Sequence, residues 1–449
     1  MDAKQSDDLR VLMFPWLAHG HVFPFLELAK GLAKKHFHIY FCSTPINLDS
    51  IKNHLNNNNN NNNNDADDHR VSIELVELHL PTLPELPPHY HTTKNIPPHL
   101  MPTLMGAFHA SAPAFSAIIA RLKPDLLIYD GFQPWAARAA AAQGIPPVLF
   151  ATSGSTALAF FHHLHTHKSW DTFPFEDIRP KEHEKRDMIA AGESIKVSNV
   201  DGADLFCFGI FELSCEIVLI KTYRGFESKY MDYLSRLCER KLVPTGPLIS
   251  HGDDHEDQDL EMMKWLNERE EGSTLYISFG SENYLSKEQM VEIAKGLELS
   301  GVNFIWVARS PAGDGGAVPE GRGVVVRGWA PQAAILAHRS VGGFMTHCGW
   351  SSVSESVFFG VPVVAVPLKD DQPVNARLAV EAGIGVEVAR GEDGGFDGDG
   401  VARAIKEVFV EGREGFKRRV EELREKMKVE EEGAIDEVVE ELSRVCMKK

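Results

Sequence analysis

The sequence predicts an α/β protein made of two similar, doubly wound halves, and three observations lead to that class. The chain has 449 residues, too long for one ordinary core, since single cores stop growing at about 250–300 residues. Short apolar runs rich in β-branched and aromatic residues alternate with longer segments of helical period. Such alternation is the mark of a parallel sheet covered on both faces. The pattern restarts after TGPL at 245–248. Two Rossmann-like halves facing each other across a cleft would bind ligands outside the carboxyl ends of their strands.

In chain order, VLMFPW (11–16), FHIYFCS (37–43), VSIELVEL (71–78), DLLIYD (125–130) and PVLFA (147–151) read as strands, while 22–35, 100–122 and 134–143 carry helical spacing. The acidic stretch SHGDDHEDQDLE has no periodicity and reads as a linker. The expected division is therefore a domain over 1–248, a linker over 249–260 and a domain over 261–449. In the second half STLYISFG (273–280), a helix through 286–300, NFIWVAR (303–309), VVVRGW, FMT and PVVAVP repeat the alternation. The terminal stretch from FKRRVEEL onward is a helix or helix pair with many i,i+4 charge pairs, and is a candidate to pack back on the first domain.

Composition narrows the classes. With 43% hydrophobic and 24% charged residues, and no apolar run near the roughly 18 residues a spanning helix needs, no membrane insertion is expected. The polar, acidic start MDAKQSDDLR lacks a secretory signal's features, which gives a cytoplasmic expectation. A formal charge of −18 opposes nucleic acid and anionic membranes, so any phosphate must be held by local geometry. The six cysteines are scattered without C-x-x-C spacing, which favours reduced thiols. Asn56 to Asn64 read as a solvated loop. His162, His163, His165 and His167 cluster in one stretch, but no carboxylate accompanies them as in H-E-x-x-H, so pocket lining or an exposed face is the better reading than a metal site.

The stretch THCGWSSVSES, Thr346 to Ser356, sits where one apolar run ends and a helical one begins. Such a turn aims backbone N–H groups out of the sheet edge, and the helix start adds the positive end of its dipole. Gly349 would allow close approach of a phosphate, Ser351 and Ser352 add hydroxyls, and His347 adds an imidazole. A plainer reading exists. Ser352 and Glu355 form S-x-x-E, a capping box that could only close the helix's own first turn.

The longer segment from Trp329 to Gln372, with W-A-P-Q, H-C-G-W, Glu355 and the closing D-Q at their spacings, resembles the 44-residue signature of plant UDP-dependent glycosyltransferases. The resemblance extends over essentially the whole chain. It implies a GT-B fold with an N-terminal acceptor domain and a C-terminal nucleotide-sugar domain. It also implies that Trp329, beside Ala330, stacks on uracil with Gln332 nearby, and that Glu355 accepts from the ribose hydroxyls. By the same resemblance His347, Gly349, Trp350, Ser351, Ser352 and Ser281 surround the diphosphate, and Asp371 and Gln372 bond the sugar, with Gln372 pointing to UDP-glucose. Ser351 departs from the family's commoner Asn, and the 310–323 loop is shorter than usual. No D-x-D metal motif is present near the expected diphosphate. No metal or cofactor is therefore assigned, UDP-glucose being a co-substrate, and a monomer is expected.

In the first half, FPWLAHGHVFPFLELAK puts His21 at the carboxyl end of the first strand, just before a helix. Histidine suits removal of a proton from a hydroxyl near neutral pH, and the family's G-H pattern selects His21 over His19 as the general base. Asp130, ending DLLIYD, can orient its imidazole. The resulting expectation is a single inverting transfer to a hydroxyl. FPWLAHGHVFPFLELAK, PPHLMPTL and YDGFQPW resemble members that add sugar to sugar, so a flavonoid or terpenoid glycoside is the expected acceptor. Transfer to bare aglycones, another UDP-sugar, a UDP-sugar epimerase or hydrolase, and a silent UDP- or glycoside-binding protein are the alternatives.

Overall fold

A computed structural model describes residues 9–56, 72–94, 96–197, 210–249, 257–280, 283–308, 322–328 and 330–448. The chain divides into two compact units. The first comprises Met1–Lys168, Ile195–Ser250 and Glu430–Lys449, the second Ser169–Ser194 and His251–Val429. Of the linker expected at 249–260, residues 250–256 lie outside the described residues, and a helix already begins at Asp257.

In the first unit seven strands, β1 (Leu9–Phe14), β2 (Phe37–Ser43), β3 (Ile73–Glu77), β4 (Leu126–Tyr129), β5 (Pro147–Ala151), β6 (Ile217–Ile220) and β7 (Lys241–Pro244), form one sheet in the order β3-β2-β1-β4-β5-β6-β7. All of its pairings are parallel. Every residue of β4 and β6 is buried, as a sheet covered on both faces requires. The helix His19–Ala33 presents Val22, Phe25, Leu26, Ala29 and Leu32 to the core at helical spacing. The order reverses between β1 and β4, where successive connections leave to opposite sides of the sheet.

The second unit repeats the plan with β8 (Thr274–Ser278), β9 (Asn303–Val307), β10 (Gly323–Val326), β11 (Val341–Thr346), β12 (Val363–Ala365) and β13 (Gly385–Glu387), ordered β10-β9-β8-β11-β12-β13 and parallel throughout. Its reversal falls between β8 and β11. These are the two Rossmann-like α/β sheets that the alternation predicts, in the GT-B class that the resemblance implies.

The continuous helix expected over 100–122 is two helices, Met101–Ala110 and Ala112–Leu122, bent by 41° at Ser111. The cause is Pro113, which lacks an N–H and crowds the carbonyl four residues back. Among the described residues no single helix is long and apolar enough to cross a membrane. The terminal stretch is one helix, Arg413–Met447. Its residues Val438, Leu442 and Val445 fill the first unit's core beside Val22, Phe25 and Ile39. Replacing Leu442, which is wholly buried, by Ala is expected to cost about 2–5 kcal/mol, read as a lowered denaturation midpoint. Replacing the exposed Val429 is expected to leave that midpoint unchanged.

Candidate functional site

In the first unit the two strands that flank the reversal each deliver a group to one cluster. The helix after β1 starts at His19, so His21 lies in its first turn rather than before it, with its N–H donating to Ala18 O at 2.9 Å. Nδ1 of His21 is 2.7 Å from Asp130 Oδ2, just past β4. Asp130 is buried, and its second oxygen accepts from Phe132 N at 3.1 Å. The aspartate thus closes its own turn and also orients the imidazole. Because Asp130 can only accept when ionised, Nδ1 carries the proton and Nε2 keeps its lone pair. Phe132 sets its ring against that of His21 at 5.1 Å, edge to face, and stacks on Trp16.

Two further residues, not anticipated from the sequence, complete the cluster. Thr152 Oγ1, immediately after β5, lies 3.0 Å from His21 Nδ1. Gln133 is buried and donates to Phe14 O at 2.6 Å, tying β1 to the turn after β4. The only signal for Thr152 was a hydroxyl directly after PVLFA, which says nothing until β5 is known to lie beside β4.

In the second unit β11 ends at Thr346, and the helix Trp350–Phe359 begins after the turn His347–Gly349. Gly349 is the N-cap, no side chain caps the helix, and Gly360 closes it at φ 72°. Ser352 and Glu355 therefore lie inside the helix, and the capping-box reading fails because the helix starts three residues too early for it. The first backbone N–H groups have no intrahelical acceptor, and the N-cap Gly349 has no side chain to offer them. Ser351 and Glu355 are half-buried, and the side chains of Trp350 and Ser352 are buried. The Trp350 ring is thus withdrawn from solvent.

His347 is buried between two glycines. A Cβ on Gly280, where φ is +76°, would come within 2.9 Å of its ring, and one on Gly349 within 2.6 Å of Nε2. Neither position tolerates a side chain while the ring stays in place. Thr346 Oγ1 sits 3.3 Å from His347 Nδ1 and also accepts from Cys348 N. With the hydroxyl donating to Nδ1, Nε2 carries the proton. Cys348, buried, holds φ at 64°, a conformation costing on the order of 1–2 kcal/mol for a non-glycine residue. Asn375 Nδ2 donates to its carbonyl at 3.1 Å, which ties this turn to the helix Gln372–Glu381.

The remaining candidates are placed as follows. Ala330 is buried in an apolar cluster with Ile335 and Phe344. Gln332 donates to Glu355 Oε2, and Tyr276 OH donates to Gln332 Oε1 at 3.3 Å, so a three-member chain aims the carboxylate. Asp371 is the N-cap of the helix Gln372–Glu381 but makes no side-chain cap bond. Gln372 is buried, and its Oε1 accepts from Leu368 N and Lys369 N, each at 3.0 Å. Its acceptor is spent on the protein's own loop, so only its amide N–H groups remain for a ligand. Ser281, Trp329 and residues 309–321 of the shortened loop lie outside the described residues. Of the histidine cluster, His163 and His167 stack at 4.3 Å, and His163 pairs with Tyr233 OH at 2.6 Å. Among the described residues no group of three or more His, Cys, Asp or Glu is arranged to hold a metal.

Comparison with known proteins bears on the family and the fold. The model of a family described as UDP-glucoronosyl and UDP-glucosyl transferase matches residues 246–424, and that of a glycosyltransferase N-terminal domain matches 7–199. Mogroside IIIx synthase from Siraitia grosvenorii is 47% identical, over 99% of each chain. Beta-D-glucosyl crocetin beta-1,6-glucosyltransferase from Gardenia jasminoides is 44% identical, over 96% of this chain and 98% of its own. Among solved structures, a UDP-glucosyltransferase from Polygonum tinctorium capable of glucosylating indoxyl superimposes with a TM-score of 0.77 at 27% identity, over 99% of this chain and 100% of that one.

Burial, helped by the Lys369 charge, lowers the pKa of His347 from 6.5 to about 4. The unfolded chain therefore binds more protons than the folded one between those values, and stability falls as pH drops through that window. The free-energy difference between wild type and H347Q is expected to change by up to about 3 kcal/mol, against the wild type, from about pH 7 to about pH 4. Denaturant titrations over that range check this. A difference independent of pH would contradict it.

Proposed function

Because the chain belongs to the UDP-glucoronosyl and UDP-glucosyl transferase family, and so is a UDP-glycosyltransferase, we propose that it transfers glucose from UDP-glucose, with inversion, to a sugar hydroxyl of a small-molecule glycoside. The observation that carries the reading is the His21–Asp130 pair, 2.7 Å apart. Asp130 holds Nδ1–H, and Nε2 takes the acceptor's proton as its oxygen attacks the anomeric carbon. The bond from that carbon to the diphosphate oxygen breaks, and the imidazolium that forms is stabilised by Asp130.

In this reading the second unit holds the nucleotide. The neutral imidazole of His347 and the first-turn N–H groups at Trp350, Ser351 and Ser352 receive the charge that develops on the leaving diphosphate. Glu355, aimed by Gln332, accepts from the ribose. Asp371 accepts from the sugar, while Gln372 donates to it. Trp329 against uracil and Ser281 at the diphosphate rest on resemblance alone.

The glycoside acceptor is supported by relatives whose names describe products or substrates that already carry sugar, notably a glucosyl crocetin. A sugar hydroxyl is a far weaker acid than a phenol, so its transfer leans harder on a base. A hydrolase or a silent binding protein would behave differently, releasing UDP without acceptor or not at all.

H21A is expected to lower kcat by about 10²–10⁴-fold while UDP affinity by calorimetry stays near that of the wild type. Retention of most activity would reject the base. Separately, kcat/KM for a flavonoid or terpenoid monoglucoside is expected to exceed that for its bare aglycone under the same UDP-glucose. An equal or higher value for the aglycone would sink the acceptor assignment.

A further inference from the structure

Outside the groups used so far, one carboxylate among the first unit's described residues is completely buried. Glu227 is 0% exposed, and its two oxygens meet four donors. Oε1 accepts from Thr156 N at 2.7 Å and Thr156 Oγ1 at 2.6 Å, while Oε2 accepts from Ser155 N at 3.0 Å and from Thr222 Oγ1. Burial holds its pKa above the usual carboxylate value, against the opposing pull of these hydrogen bonds.

The donors on residues 155 and 156 are the first turn of the 13-residue helix Ser155–His167, whose N-cap, Gly154, has no side chain to offer. A carboxylate at that end is favoured by the exposed N–H groups and by the helix dipole. It arrives from 71 residues further along the chain, where the helix Arg224–Cys238 breaks its own geometry at Glu227, with φ −121° and ψ 17°. An ordinary cap would be local. This one joins two helices and the end of β6, through Thr222, to the stretch immediately after β5.

That stretch carries Thr152, three residues before Ser155, with its hydroxyl 3.0 Å from His21 Nδ1. The imidazole is thus held from two neighbouring strands, by Asp130 after β4 and Thr152 after β5. We propose that Glu227 is a positioning residue for the base, fixing the first turn of the helix Ser155–His167 and through it the Thr152 hydroxyl against His21. The inference rests on His21 acting as the base. Proton transfer tolerates little error in placement, and a displacement of about 1 Å can cost about a hundredfold in rate.

E227Q keeps the size of the side chain but turns one oxygen into an amide facing two donors. With UDP-glucose and a monoglucoside acceptor, kcat is expected to fall about tenfold to a hundredfold, with KM for UDP-glucose within about twofold of wild type. T152V should lower kcat as well, and the double variant should be no slower than the slower single one, since both act through one contact. Unchanged kcat in folded E227Q with only a lowered Tm overturns the inference, as do losses that multiply. If E227Q does not fold, T156V, which removes only the hydroxyl bond to Oε1, is combined with T152V and read the same way. H21A separates the two readings. Full activity in H21A removes the base and this inference together, whereas an inactive H21A beside an unaffected E227Q removes this inference alone.

Discussion

The organisation of both units depends on one constraint of parallel sheets. Each strand must be followed by a crossover on one face, and where the winding reverses, two neighbouring strands send their continuations to opposite sides. Between those strand ends no connection covers the sheet edge. In the first unit the ends belong to β1 and β4, which deliver His21 and Asp130. In the second they belong to β8 and β11, which deliver Gly280 and His347 within van der Waals reach of each other. The two clusters differ in chemistry because different side chains stand at equivalent places.

Packing then decides what those side chains can do. His21 keeps part of its surface open and is oriented by an acid, which suits a group that must gain and lose a proton. His347 is enclosed, meets the Thr346 hydroxyl rather than a carboxylate at Nδ1 and is squeezed between glycines, which suits a neutral hydrogen-bond donor. The strained Cys348 and its tie to Asn375 are the local cost of presenting Nε2 and the helix start side by side.

Much of this was legible in the sequence, and what was not has identifiable causes. Apolar and aromatic runs located β2 and β5 to the residue, β5 because it is buried from its second residue on and β2 because buried and half-buried positions alternate along its first four residues. The turn before GWSS was readable since short-range geometry sets it, whereas the D-Q ending came from the resemblance. Long-range pairings were not. Nothing in the order of residues says that Gln372 spends its carbonyl on Leu368 and Lys369, that Tyr276 lies behind Gln332, or that Glu227 caps a helix started 72 residues earlier. Those bonds exist only once the sheets have placed distant segments together. The capping box at Ser352 and Glu355 misled for the opposite reason, being a local pattern that the helix's actual starting point overrides.

The helix Arg413–Met447 has a consequence for how the molecule is made. Residues that close the first unit's core, Val438, Leu442 and Val445, are translated only after the whole of the second unit's sheet has emerged. Until then the apolar surface of the β1 and β2 layer stays partly uncovered on the ribosome, at a rate of about 5–20 residues per second. Vectorial synthesis therefore favours early completion of the later-coded sheet over the earlier-coded one, and during that interval chaperones have an apolar face to occupy.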